Sequence, residues 1–458
     1  MKQKTIRWQD EYRHKLITAK EAAGLITSGS EVIFAMMDQP KDIMTAVAER
    51  YPELENVTLT SHWVEDYPFL HPKQHPEMTK AFRIKDPMTM RNTREGVREK
   101  TIDYQPTVFG LSNGYRQECP DRGRLYHYKD IFFFKLSTPD EDGRCSFGPH
   151  PWYSPSVCRT AKIKVAEIDP HLTRVYGEFV NIDDIDYLVE APTGGSKGGS
   201  ELLGQTPPPE EFEISQVIGA NAATLIKDGD TIQIGVGTAA EAIRDFLGDK
   251  NDLGIDSEVI YSYTIDLVKR GVITGKYKTH DKGIVAAANL QLYGANEPAS
   301  IESLAYVREN PAFLFRDIST QCNVGRIAAQ DNMVAINNIL GVDLLGQIVI
   351  THLGPTPITG PGGQVDFCVG SHYSKGGRSI SMLKSTALDG KVSRIVSKFE
   401  AGTVIMIPMV YLDYLVTEYG VANLDCKSRR ERAEAVISVA HPDFRDELRQ
   451  AAREMFYP

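Results

Sequence analysis

The sequence predicts an α/β protein made of two related, open, mostly parallel α/β domains, and three observations carry that prediction. Apolar strand-like runs alternate with segments of helical spacing, the pattern of a sheet covered by helices. A register offset of 200 residues relates the two parts of the chain: Ala22, Ala23, Leu25, Ile26 and Gly29 recur as Ala222, Ala223, Leu225, Ile226 and Gly229, while Val32 and Phe34 are answered by Ile232 and Ile234. Finally, 458 residues exceed one ordinary core and call for two or three domains.

The join is expected where the apolar period disappears. APTGGSKGGSELLGQTPPPEE, ending at Glu211, is rich in Gly, Ser and Pro, so the division reads as a first domain over 1–190, a linker over 191–212 and a second domain over 213–458. Ser196-Lys197-Gly198 within it lacks the residue order of a phosphate loop.

Composition narrows the function. The chain is 41% hydrophobic, 24% charged and 9% aromatic, as in soluble globular proteins. A formal charge of −10 without a basic stripe excludes general binding to nucleic acid or anionic membranes, so an anionic ligand must meet a local pocket. Cys119, Cys145, Cys158, Cys322, Cys368 and Cys426 are scattered without C-x-x-C pairs, which suits a reducing cytoplasm rather than a disulfide framework or zinc site. The start, MKQKTIRWQDEYRHK, has no apolar leader core, and the run from Thr403 to Leu412 is too short to span a bilayer, so a cytoplasmic protein is expected. His62, His71 and His75 match no ligand spacing, and no metal is expected.

In the first half, NVTLTSHW, DIFFFKLS and AKIKVAEI read as strands. The loop Ala35-Met36-Met37-Asp38-Gln39-Pro40 stands where the second copy has a glycine turn, and Pro40 suits the first position of a helix over 41–50. In the second half, DTIQIGVGTAAEAIRDFLGDKNDLGIDSE reads as a strand over 231–234, a turn at Gly235-Val236-Gly237, a helix over 238–247 and Glu258 closing a short strand-like segment. Unsatisfied N–H groups at such a turn and helix start, including those of Thr238 and Ala239, can hold a phosphate or a developing oxyanion. GVGTAA also fits a relaxed dinucleotide fingerprint with Glu258 as its acid, which keeps an NAD-dependent dehydrogenase in view. Against it, the segment 252–257 has only Leu253 and Ile255 as apolar residues. Further on, Gly360, Gly362 and Gly363 can bring backbone close to a ligand or simply make a sharp turn, and Ser374-Lys375-Gly376-Gly377-Arg378 and Lys384-Ser385-Thr386 suit phosphates.

With these residues in order, the chain resembles the acetyl-CoA hydrolase/transferase family, the branch of family I CoA-transferases that includes 4-hydroxybutyrate CoA-transferase. The similar segments are LIKDGDTIQIGVG, LGIDSE, INNILGVDLLGQI, GPGGQVDF, SKGGRSI, SRIV, VTEYGVANL and AHPDFR, spread over the last 240 residues or so. The resemblance implies an active site between two α/β domains, homo-oligomers, and ping-pong transfer of CoA between short-chain carboxylic acids of the butyrate, 4-hydroxybutyrate or acetate kind. It implies Glu258 as the nucleophile, CoA as substrate and covalent intermediate, and no permanently bound cofactor. It further implies pocket or CoA contacts at Gln233, Asn337 and Lys384, while the need to hold an oxyanion casts the backbone of Gly235, Val236, Gly237, Thr238, Ala239, Gly360, Gly362 and Gly363 as oxyanion or CoA contacts.

Two departures stand out. Relatives often carry Ile-Pro where this chain has Ala239-Ala240, and a small residue or histidine where Met36 and Met37 would narrow an acyl pocket; core packing is the plainer role for both methionines. An acyl-CoA hydrolase using the same glutamate and a non-catalytic acyl-CoA sensor are the other readings, and Glu258 as a turn or cap carboxylate is the bland one.

Overall fold

The structure, a computed structural model, describes residues 8–112, 129–191, 209–292 and 297–458. Cys119 and residues 192–208 of the expected linker lie outside the described residues; residues 209–212 already belong to the helix Pro209–Ala223. The chain divides into two compact units, Met1–Leu202 with Ala288–Thr320, and Leu203–Ala287 with Gln321–Pro458. A single cut near residue 200 therefore misses the segment Ala288–Thr320. That segment is fastened into the first unit by a bridge between Gly177 and Phe315 and by Asp317, which accepts from the Ser156 N–H at 2.9 Å.

The first unit holds a parallel seven-stranded sheet, ordered Asp103–Tyr104, Phe82–Asp86, Val57–Thr60, Glu31–Phe34, Ile131–Ser137, Ile163–Asp169, Tyr187–Glu190. Ile131–Ser137 is buried at every position, which explains why IFFFKLS reads as a continuous run rather than an alternation. Val32, Phe34, Leu59, Phe133 and Val165 pack against Ile43, Met44 and Val47 of the helix Lys41–Glu49. Pro40 is the residue before that helix rather than its first, and its carbonyl accepts from the Met44 N–H at 2.9 Å.

In the second unit the strands run in the order Gly254–Tyr261, Thr231–Ile234, Met333–Asn338, Arg378–Met382, Tyr414–Thr417, Gly420–Asn423, with only the last pairing antiparallel. A separate core of Val342, Leu344, Leu412, Leu415, Val436 and Ile437 lies under the helices Arg429–Ser438 and Arg445–Phe456.

The duplication extends to backbone detail. Leu25 N–H bonds Ala22 O at 3.2 Å and Leu225 N–H bonds Ala222 O at 3.0 Å; Gly29 and Gly229 have φ of 82° and 78°. The Arg50 guanidinium donates to Ile26 O at 2.9 Å, and the Lys250 ammonium donates to Ile226 O at 2.8 Å. Each first strand lies between the next strand in the chain and a later one, so strand order reverses beside it. At such a reversal the loops leave in opposite directions and open a crevice at the carboxyl ends of the strands.

Two local expectations are corrected. The helix over 238–247 is a short α-helix, Thr238–Ala242, continued by a tighter 3-10 turn, Ile243–Phe246; Ile243 and Leu247 are buried, so the apolar spacing survives the change of winding. Glu258 does not close its strand but sits within Gly254–Tyr261, a buried eight-residue strand. Its sequence looked too polar for the interior because Asp256 and Ser257 are buried with partners: Arg326 and Gln321 bond Asp256, and Ser257 Oγ donates to Val259 O at 2.7 Å.

Candidate active site

The crevice of the second sheet gathers most of the singled-out residues. Ile232 pairs with Ile255 and Ile234 with Ile336, so continuing the register sets Gly235 beside Glu258 on one side and Asn337 on the other. Asn338 pairs with Met382, which puts Lys384 beyond the same end of the sheet.

The Glu258 side chain is half-buried, and its Oε2 accepts a hydrogen bond from the Gly363 N–H at 2.7 Å. Gly363 immediately precedes the helix Gln364–Tyr373, so the donor belongs to the positive end of a ten-residue helix. Glycine is required there: a Cβ on Gly363 would stand 2.5 Å from Glu258 Oε2 and 2.6 Å from Cys322 Sγ. Gly362, at φ 56°, makes the turn, and Gly360 is buried behind it.

No cation pairs with Glu258 among the described residues. Burial raises its pKa from the ordinary 4.5 to about 7, against the opposing pull of the Gly363 hydrogen bond. Asp256, two residues earlier and on the same face, goes the other way. Burial alone would raise it, but His280, Lys278 and Arg326 hold it well below the usual carboxylate range. The cluster of Asp256, His280 and Asp281 is thus occupied by cationic side chains, with Arg326 bonding both Asp256 and Asp281. One strand therefore carries a structural carboxylate and a poised one, the separation that acid–base and nucleophilic sites exploit.

The glycine turn fits closely against Asn337 and Asn338. A Cβ on Gly235 would collide with Asn337 Oδ1, and one on Gly237, at φ 126°, with Asn338 Nδ2. Tyr261 donates to Gly235 O at 3.0 Å, and Asn338 Nδ2 to Val236 O at 3.1 Å. Val236 is 37% exposed, while the Gly237 N–H is directed to Glu241 Oε1 at 3.3 Å, at the start of the short helix that contains Thr238 and the buried Ala239.

Gln233 and Asn337 exchange amide hydrogen bonds of 3.0 Å in both directions, so these buried side chains lock each other before any ligand arrives. Lys384 makes no hydrogen bond or ion pair among the described residues, and its neighbour Ser385 is anchored by Glu418 at 2.6 Å. Asn338 and Gln364, linked by a 3.0 Å bond from Gln364 Nε2 to Asn338 O, tie the two glycine loops together. Neither they nor Cys322 were singled out in the sequence, although INN and GGQ placed the first two beside residues that were.

Met36 and Met37 belong to the first unit, at the carboxyl end of Glu31–Phe34. Both are buried, and Met37 adopts φ 67°, a left-handed conformation unusual for a bulky side chain.

An open α/β sheet with a carboxylate and a helix-terminal amide in its crevice is an arrangement that can hold a carboxyl or anionic group. Residues 1–194 match the acetyl-CoA hydrolase/transferase N-terminal domain and residues 301–452 the C-terminal domain. The 4-hydroxybutyrate coenzyme A transferase of Clostridium kluyveri is 35% identical over 98% of this chain and 100% of its own. The succinyl-CoA:cyclohexane-1-carboxylate CoA transferase of Geobacter metallireducens is 31% identical over 98% of this chain and 97% of its own. Among solved structures, RipA from Yersinia pestis superposes with a TM-score of 0.86 at 29% identity, covering 99% of this chain and 100% of RipA. The chain belongs to the acetyl-CoA hydrolase/transferase family, and it is an enzyme of the CoA-transferase class.

Among the described residues no helix is long and apolar enough to cross a membrane.

Proposed function

We propose that this enzyme moves CoA between short-chain carboxylic acids, of the butyrate, 4-hydroxybutyrate or acetate kind, by a ping-pong route through a thioester on Glu258. The observation that carries the reading is the unpaired Glu258 carboxyl held by the Gly363 N–H at a helix terminus. The Glu258 carboxylate attacks the acyl-CoA carbonyl; the C–S bond breaks, CoA leaves as thiolate, and an acyl-glutamyl anhydride remains. The thiolate attacks the glutamyl carbonyl of that anhydride, releasing the first carboxylate and leaving CoA on Glu258 as a thioester. A second carboxylate reverses both steps and departs as the new acyl-CoA.

The thioester passes from bond to bond, so no phosphoryl donor enters the balance. A free carboxylate is a weak nucleophile toward a thioester, so the rate depends on orientation and on stabilising each oxyanion. The Gly363 N–H serves when the Glu258 carbonyl is attacked, and the Val236 N–H and the Asn337 amide face the substrate carbonyl. Lys384 holds CoA phosphate, and binding energy from that distant end positions the thioester. Met36 and Met37 bound the acyl pocket. The enzyme acts as a cytoplasmic homo-oligomer, which sedimentation checks.

The test mixes butyryl-CoA with the enzyme in the presence and absence of acetate. Acetate-dependent formation of acetyl-CoA supports transfer. Loss of CoA at a rate indifferent to acetate identifies a hydrolase instead, and protection from unfolding by NAD but not CoA would restore the dehydrogenase reading.

A further inference from the structure

The loop that carries Met36 and Met37 is held by a buried Asp–His pair. His150 Nδ1 lies 2.8 Å from Asp38 Oδ2, and His150 Nε2 lies 2.8 Å from Leu290 O. A backbone carbonyl can only accept, so Nε2 carries a proton; against the upward push of burial, His150 holds the Asp38 carboxyl below its usual range, and an ionised carboxylate can only accept, so Nδ1 carries one too. The ring is therefore an imidazolium joined to a carboxylate, both largely buried. Burial alone would favour the neutral ring, but Asp38 holds its pKa above the usual range, while Lys135 opposes.

The pair sits one residue after a strained position. Met37 is left-handed at φ 67°, where the corresponding residue of the second copy, Gly237, has φ 126° without a side chain to resist it. The loop is closed around it by Asp38 N–H to Met36 O and Gln39 N–H to Met37 O, both at 2.9 Å. Tyr153 fixes the loop's entry by donating to Phe34 O at 2.6 Å, and Gln39 fixes its exit by donating to Ser61 Oγ at 2.9 Å. Between those clamps, Asp38 is the residue that reaches a different part of the unit, and His150 is its anchor. The Leu290 N–H also bonds Pro149 O at 3.0 Å, so both backbone groups of Leu290 are engaged by consecutive residues.

We infer that His150 is a positioning residue for acyl-group selection: through Asp38 it holds Met37 in its left-handed conformation and so sets the shape that Met36 and Met37 present. This rests on the proposed acyl-pocket role of those methionines. The groups that face the pair are Lys135, which lies on the adjoining strand near Asp38, and the Leu290 carbonyl.

The test compares kcat/KM for butyryl-CoA and acetyl-CoA in the full-length enzyme carrying His150→Gln or Asp38→Asn, with Met36→Gly as the control for the pocket itself. His150→Gln keeps one hydrogen bond but cannot span both partners, and Asp38→Asn keeps the shape without the charge. Each is expected to shift the butyryl-to-acetyl ratio by about 5-fold or more, the scale at which a pocket discriminates methylenes. Met37→Gly, which needs no restraint to reach positive φ, is expected to reduce the further effect of His150→Gln. If His150→Gln or Asp38→Asn folds and leaves the ratio within twofold of the parent while Met36→Gly moves it, the positioning role is overturned and the pocket reading stands. If Met36→Gly also leaves it unchanged, the pocket reading fails and takes this inference with it. A shift in the His150 variant without one in Met36→Gly overturns the route through the loop.

Discussion

The two units of this enzyme carry the same strand reversal, and the residues at the two crevices differ. Extending the strand pairings, Glu31 with Thr58 and Thr231 with Gly254, aligns His62 of the first unit with Glu258 of the second. His62 is fully buried beside Phe109 and Tyr153, and burial pushes its imidazole down to about 3, so it is uncharged. Glu258 keeps access to solvent and titrates near neutrality. The turns differ in parallel: Gly235 and Gly237 leave room for backbone and amides to meet, whereas Ala35, Met36 and Met37 fill the equivalent space with side chains. The strand reversal supplies a crevice in both copies, but only in the second do residues lacking side chains line the turn.

The largest expected effect separates the paired positions. Glu258→Gln should lower turnover by at least about 10³-fold, as loss of a covalent nucleophile does, whereas His62→Gln should leave kcat within a few-fold and lower the melting temperature; steady-state kinetics and thermal unfolding of both variants check this. Next, Gly363→Ala forces a methyl against Glu258 and Cys322 and should reduce kcat by about 10²-fold, the scale of one lost oxyanion donor. Gly29→Ala meets no neighbour, and its φ of 82° should cost about 1–2 kcal/mol of stability with kcat preserved.

The pH dependence follows from Glu258. Because its folded pKa lies above the ordinary 4.5, the carboxylate forms only as pH rises through about 7, and the rate of the first acyl transfer should rise over that interval. The same shift destabilises the ionised folded state: the penalty is absent below pH 4.5 and complete above pH 7. Glu258→Gln should therefore be more stable than the parent by roughly 2–3 kcal/mol at pH 8 and no more stable at pH 4, which denaturant unfolding at the two pH values measures. The smallest effect tests the duplication: Arg50→Ala and Lys250→Ala remove the donors to the equivalent carbonyls of Ile26 and Ile226 and should cost a similar ~1–3 kcal/mol.

Much of this was legible in the sequence because it depended on local rules. The repeated small-residue helix and glycine turn revealed the duplication, and glycine spacing marked both loops that meet around Glu258. What escaped notice depended on partners distant in sequence. Asp256 helped make the segment 252–257 read as too polar for a buried strand; Arg326 and Lys278 neutralise it there, and no periodicity announces a buried ion pair. Gln233 and Asn337, 104 residues apart, also bond one another, a pairing that spacing does not announce. The segment Ala288–Thr320 joins the first unit through bonds to residues more than a hundred positions earlier, which composition at a linker cannot reveal.

The central claim is that Glu258 becomes covalently attached to CoA. Mass spectrometry of peptides from enzyme quenched after mixing with butyryl-CoA tests it directly. The expected result is the mass of CoA, less one water, on the peptide containing Glu258 in the parent enzyme, its removal by added acetate, and its absence in Glu258→Gln. A CoA adduct on another residue, or one that persists in Glu258→Gln, would contradict it.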